Sequence, residues 1–349
     1  MKKFLSAWLF MLSFIGFSQE NSTSHSDDLW TSSRPDGHAP IGVMGDHYHH
    51  KGEFMFSYRF MTMQMKDLRY QDEDVSKDFV YNNYMVTPQK MLMNMHMLGA
   101  MYAPSDKLTL MAMGNYISND MDLQMQMTNN MGMNMRSDFT TNSNGFGDVS
   151  LSALYRIFNK NQHSLHTQVG VILPTGSIEK KDETAMSNEN KVILPYPMQI
   201  GSGSFSTQLG LTYLWQKEMI SGGIQGKTML RLNDNKNDYR LGNQYNATSW
   251  LALKASEYLS FSVRGEVSYT DDISGRNEVL NPMMVTTVNP KNYGGFIANY
   301  AIGVNFLIPQ NALKNLRFAA EIILPAYQEP NGIQLKQNYT LTFGTQYSF

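Results

Sequence analysis

From Phe54 to the C-terminus, apolar and polar residues alternate in stretches separated by turn-rich segments. The period is two, which is the mark of a strand, because successive side chains of a strand point to opposite faces. Residues 259–270 show it cleanly, with Leu259, Phe261, Val263, Gly265, Val267 and Tyr269 opposed to Ser260, Ser262, Arg264, Glu266, Ser268 and Thr270. In the last stretch, 334–349, Tyr339, Leu341, Phe343, Thr345, Tyr347 and Phe349 oppose Thr340, Thr342, Gly344, Gln346 and Ser348. A first strand starts at Phe54, and others are predicted over 91–103, 108–118, 146–157, 164–173, 203–215, 220–232, 246–256, 296–308 and 315–327. With 259–270 and 334–349 that makes twelve, an even number.

An apolar, aromatic face backed by a small polar one suits lipid on one side and a watery lumen on the other. Arg59, Lys227, Arg231, Arg264, Glu266, Arg317 and Glu321 all oppose the apolar series and are therefore expected to line a pore. A Lys or Arg facing lipid at mid-depth would cost about 2–4 kcal/mol. The connections alternate in length: 66–90, 119–145, 174–202, 233–245 and 271–295 are long, whereas 104–107, 159–162, 216–218, a turn near Glu257 and 309–314 are short. Only the last external connection, 328–333, is shorter than the rule predicts. The expected fold is all-β: a closed antiparallel transmembrane barrel of about twelve strands, with short periplasmic turns and long extracellular loops. A soluble sandwich ranks second, having no reason to alternate its loop lengths.

Two strands are less clear. In 246–256, Trp250 and Leu251 compete to define the apolar face. In 91–103, Met91, Met93, Met95, Met97 and Met101 share one face and Asn94 and His96 the other; the polar pair is assigned to the lumen and the methionines to lipid.

The N-terminus has Lys2-Lys3, an apolar run to Phe17, and small residues Gly16 and Ser18, which reads as a cleaved signal over 1–18. Residues 19–52 form a His-rich periplasmic segment, a candidate plug for the barrel of 53–349; its first part, 19–37, lacks apolar content and reads as a mobile leader. No stretch reaches the roughly 18 apolar residues of a spanning helix. The chain has no cysteine, so stability has to come from elsewhere, and a closed barrel supplies it by pairing every strand edge. Net charge is −2, which argues against a nucleic-acid partner. Expected partners are outer-membrane lipid, the barrel assembly machinery that reads a terminal aromatic residue, and a small-molecule or metal-ion solute.

Nineteen of the 27 methionines lie between Met44 and Met135. By parity Met55, Met61, Met63 and Met65 share a face with Arg59, and Met111 and Met113 with Asn115, so these are luminal. In the presumed loop 119–145, Met125, Met127, Met131, Met133 and Met135 alternate with polar residues, which lipid does not explain. Thioethers are soft ligands that select Cu(I), and the Met-X-Met pairs resemble those of copper and silver carriers; a merely flexible, polarizable loop is the equal alternative. A second candidate metal cluster is His38, Met44, Asp46, His47, His49 and His50, where imidazole suits Cu(II), zinc, nickel or iron. No cofactor is fixed by these patterns. Catalysis is not expected: His163, Ser164 and His166 flank one turn, but no third partner is visible.

The segment Gly37-His-Ala-Pro-Ile-Gly-Val-Met-Gly-Asp-His47, the strand Ser57-Tyr-Arg-Phe-Met-Thr-Met63, Gly145-Phe-Gly-Asp-Val-Ser-Leu151 with Tyr155-Arg156, and Val171-Ile-Leu-Pro-Thr-Gly176 together resemble outer-membrane transporters grouped with the MetA-pathway-of-phenol-degradation family. The resemblance implies passage of small, apolar or aromatic solutes. The expected function is thus an outer-membrane channel for small solutes, linked to copper through the Met and His clusters. The alternative is a metal-binding protein whose barrel is only an anchor. A receptor role has only the length of loops 174–202 and 271–295 behind it.

Overall fold

The computed structural model describes residues 29–128, 133–310 and 313–349, so the signal sequence predicted over 1–18 lies outside the described residues. Thirteen long strand segments run in chain order: β1 (Phe54–Tyr70), β2 (Val86–Ser105), β3 (Leu108–Thr128), β4 (Asn134–Phe146), β5 (Val149–Lys160), β6 (His163–Leu173), β7 (Ser206–Gln216), β8 (Ile220–Arg231), β9 (Gln244–Lys254), β10 (Leu259–Thr270), β11 (Gly295–Leu307), β12 (Leu316–Pro330) and β13 (Ile333–Ser348). Each pairs antiparallel with its neighbour. β4 and β5 pair with the outer and inner halves of β3 and form one stave broken at Gly147-Asp148, so the staves number twelve. β13 pairs with β1, and reciprocal backbone hydrogen bonds between Phe54 and Phe349, both 2.9 Å, complete the closure. The all-β closed barrel expected from the alternation is what forms.

Alternation sorts the side chains as the energetics of a bilayer require. Phe261 is 50% and Val263 56% exposed on the outer wall, whereas Ser262 between them and Arg264 beyond them, 3% and 4% exposed, point inward. Leu98, Leu110, Leu151, Val169, Leu211, Ile224, Ile302 and Phe343 repeat the outward placement around the cylinder. In water such a belt would lose its hydrophobic contribution; against acyl chains it does not. No helix among the described residues is long and apolar enough to cross a membrane. In β9 the competition is resolved by the interior: Trp250 is buried in the lumen and Leu251 faces out.

Three expectations need correction. First, Met91, Met93, Met95 and Met97 stand directly opposite Met65, Met63, Met61 and Arg59 of β1, and opposed residues share a face, so these methionines are luminal and not against lipid. His96 lies instead on the outer wall, where its Nδ1 hydrogen-bonds the Tyr58 hydroxyl at 2.9 Å and its ring stacks beside Phe60, a partner that removes its need for the lumen. Second, much of 119–145 is not loop: β3 and β4 continue as a paired hairpin past the barrel rim. Third, residues 29–37, expected as part of a leader, pack with 38–53 into the end of the barrel that carries the short turns.

Candidate functional site: a plugged lumen

Residues 29–53 have few apolar side chains, and what seats them is a set of polar sockets on the inner wall. Trp30 exchanges two hydrogen bonds with the Asn159 side chain, at 3.0 and 3.1 Å, and Thr31 two with Gln216, at 2.9 and 2.7 Å. Arg317 of β12 donates to three plug carbonyls: Pro35 at 2.7 Å, Arg34 at 2.9 Å and Ser32 at 3.1 Å. Ser260 and Ser221 donate to the Pro35 and Asp36 carbonyls. Deeper in, Glu321 accepts from the Gly42 amide at 2.8 Å while forming a two-pronged pair with Arg264, at 2.8 and 3.2 Å; Arg264 also pairs with Glu266. The fit at Gly42 is close: a Cβ there would displace the Glu321 carboxylate and the Arg264 guanidinium from their present positions. A small apolar cluster of Trp30, Ala39, Val43, Tyr48, Leu214 and Trp250 completes the seat.

The charges expected to line the pore all point inward. Arg264, Arg317 and Glu321 are occupied holding the plug and one another, while Lys227, Arg231 and Glu266 line a cavity of about 540 Å³ on the outer side of it. Arg59 is buried opposite Met97 and Gly344. Met44, Met95, Met97, Met111, Met113 and Met229 form much of the remaining cavity wall.

The structure divides the predicted His cluster. Ligand-capable atoms of His38, Asp46 and His47 lie within 4.8 Å of one another, all buried. Asp46 Oδ2 accepts from the Ala39 amide at 2.9 Å, and its Oδ1 lies 2.9 Å from His47 Nδ1. His38 Nδ1 is 2.9 Å from Gln346 Oε1, and His49 Nδ1 is 3.3 Å from Glu53. Nε2 of both His47 and His49 is buried without a hydrogen-bond partner. Burial, reinforced by the Arg317 charge and His47, holds His38 well below the usual imidazole range, and burial lowers His49 against the pull of Glu53. Burial alone would raise Asp46, but the His47 ring, with His38 and Arg59, takes its carboxyl far below the ordinary range. Met44 and His50 stand apart: Met44 faces the cavity, and His50 is exposed beside Asp106. Of the outer methionines, Met125 is buried in an apolar cluster, Met127 faces Met135 across the projecting hairpin, Met133 is exposed near its tip, and Met131 lies outside the described residues.

At the outer end, the connections after β6 and β10 fold inward. Leu194, Met198, Val285 and Val288 pack against Val86, Met91, Met121, Leu123 and Met125. Beside this cluster opens an apolar pocket of about 330 Å³, lined among others by Phe139, Met186, Ile193, Leu280 and Met284. The break in the β4–β5 stave anchors the first of these loops: Asp148 accepts from the Gly176 amide at 2.9 Å, the Ser202 amide at 2.9 Å and the Ser202 hydroxyl at 2.6 Å. Thr175 adds a bond each way, to Gly147 and from Val149. Sequence reading passed over Asp148; a Gly-Asp pair interrupting a strand was the signal.

No curated protein matches the sequence. Among solved structures, an outer-membrane channel from Pseudomonas putida F1 superposes with a TM-score of 0.59 at 14% identity, covering 87% of this chain and 98% of that one. The transport unit of the autotransporter AIDA-I from Escherichia coli is more distant, with a TM-score of 0.47, 10% identity and coverage of 88% and 93%. The fold is that of an outer-membrane barrel, and the outer membrane is where the protein resides. Residues 105–321 match the family model described as MetA-pathway of phenol degradation, and the chain belongs to that family.

Proposed function

We propose that the protein is an outer-membrane channel for small apolar or aromatic solutes, closed at rest by residues 29–53. The observation that carries this reading is the apolar pocket at the outer mouth, set between inward-folded loops and lined by Phe139, Met125, Met186 and Met284 among others, with a separate thioether-lined cavity in the lumen. Such surfaces receive apolar molecules without costly desolvation, and Met sulfur makes favourable contacts with aromatic rings. Family membership supports the same class of solute. The three residues weighed for catalysis are each held by other partners: His163 is tied to Tyr213 on the outer wall, Ser164 donates to Tyr48, and His166 Nε2 is held on the Gly45 carbonyl at 2.9 Å. The test is uptake of radiolabelled toluene by cells with intact lipopolysaccharide. Expression should accelerate it and Val288→Asp should abolish the gain; equal uptake with and without the protein would refute the reading.

A second reading is favoured by the partnerless Nε2 atoms of His47 and His49. In it His38, Asp46 and His47 bind a transition-metal ion such as Zn(II) or Cu(II), with Gln346 orienting the His38 ring as an outer-shell partner. If the barrel is only an anchor for this plug, purified protein should carry stoichiometric metal that His47→Ala removes, and should pass no solute. Metal content unchanged by that substitution would end it.

A further inference from the structure

Strand register sorts methionine on β1, β2 and β3 without exception. Within the barrel wall four methionines on β1, five on β2 and four on β3 point inward and none points outward, while Met127 lies past the rim on the projecting hairpin. The outward apolar positions of the same strands carry Phe, Tyr, Leu and Ala, so apolar bulk alone does not account for the choice inside. Two rows run straight across all three strands. Met65 opposes Met91, which opposes Met121; ten residues along β1, or roughly 33 Å, Met55 opposes Met101, which opposes Met111. Cβ atoms of directly opposed residues lie about 4.5–5.5 Å apart, and each Met has three rotatable bonds beyond them. Three sulfurs per row can therefore converge on one ion. Met63 with Met93 and Met61 with Met95 bridge the rows as pairs, and Met127 opposite Met135 extends the line outwards.

We propose that this face binds soft monovalent cations, Cu(I) or Ag(I), with Met65/Met91/Met121 as an outer three-sulfur site and Met55/Met101/Met111 as an inner one, and passes them toward the plug. Thioether sulfur selects such ions over the hard cations of the medium. Both rows are largely withdrawn from water, which favours a ligand that needs no strong hydration. The inner row lies beside the His-bearing plug segment: the His49 backbone amide donates to Thr109, two residues before Met111, and His38 contacts Gln346, which opposes Ser57, two residues after Met55. Arg59 sits beside this line, and the ionised Asp46 offsets its charge. No electron transfer is needed, since the ion keeps its oxidation state throughout. The proposal stands apart from the apolar-solute reading, because silver binding is measured without any flux.

The test is Ag(I) binding by the full chain in detergent, followed by equilibrium dialysis and elemental analysis. Each row replaced by leucine, Met65→Leu/Met91→Leu/Met121→Leu or Met55→Leu/Met101→Leu/Met111→Leu, should lose one ion per chain bound at micromolar affinity or better. Met127→Leu/Met133→Leu/Met135→Leu should leave those two ions in place. Leucine conserves volume, and heat-modifiable migration in gels reports that the barrel has folded. Full silver stoichiometry in both row variants would overturn the proposal. X-ray absorption of the unaltered protein loaded with Cu(I) gives an answer that does not depend on the variants: an all-sulfur shell supports it, and a nitrogen or oxygen shell contradicts it. Loss of toluene uptake with silver binding intact would sink the channel reading alone.

Discussion

Replacing Arg317 with alanine should release the plug. Its guanidinium gives three hydrogen bonds to plug carbonyls, at 2.7, 2.9 and 3.1 Å. At the low end of about 1.5 kcal/mol for a charge-assisted bond, the gross loss is roughly 4–5 kcal/mol. Part of that is returned, because a buried cation no longer has to be desolvated and Pro35 keeps its bond from Ser260. A net loss of about 2–3 kcal/mol raises the undocked population roughly 30- to 150-fold. The chain contains no cysteine, so Ala39→Cys, buried in the apolar seat, reports undocking through labelling by a membrane-impermeant maleimide. Labelling of the double variant should be faster by that factor, and openings in a planar bilayer should become more frequent. Labelling and conductance unchanged in a folded barrel would show that Arg317 does not hold the plug.

Other consequences follow from the same contacts. Gly42→Ala puts a Cβ into the Arg264–Glu321 pair and should weaken plug docking by about 1–3 kcal/mol, read by the same labelling assay. Acidification should also free the plug. His38 and His49 have lowered values when docked and regain the ordinary value of about 6.5 when released, so neutral imidazole favours docking above that pH and the advantage fades as pH falls below it. Asp46 acts in the same direction at still lower pH. Bilayer conductance between pH 7.5 and 5 should rise accordingly, and a flat profile would contradict the assignment. Asp148→Ala removes three acceptor contacts to the loop after β6 and should cost about 3 kcal/mol locally; faster amide exchange confined to 176–202 is the expected signature.

Within the bilayer the sequence pattern was a good guide, because lipid enforces a chemical difference between the two faces at every second residue. Strand 259–270 and the closing strand show this, their predicted limits matching β10 and lying within a residue of β13. Alternation alone does not say which face is inside, and that is why Met91 to Met101 were assigned to lipid: the cross-strand register with Arg59 and Met61 decides the matter, and His96 had an unforeseen partner in Tyr58. Above the membrane the logic inverts. Asp120, Asp122, Gln124 and Gln126 face water while Met121, Leu123 and Met125 face inward, so β3 past residue 118 looked like a polar loop. The plug was least legible, since its seat is made by residues as remote as Asn159, Ser260, Arg317 and Glu321, and nothing in 29–37 itself reveals them.

The central claim is that side chains alternate between lipid and a plugged, polar interior around a closed cylinder. Single cysteines at Val263 and Ser262, which are 56% and 3% exposed, test it most directly when labelled with a fluorophore and quenched by brominated lipid in reconstituted bilayers. The account predicts strong quenching from position 263 and little or none from 262. Equal quenching at both, or the reverse order, would contradict it.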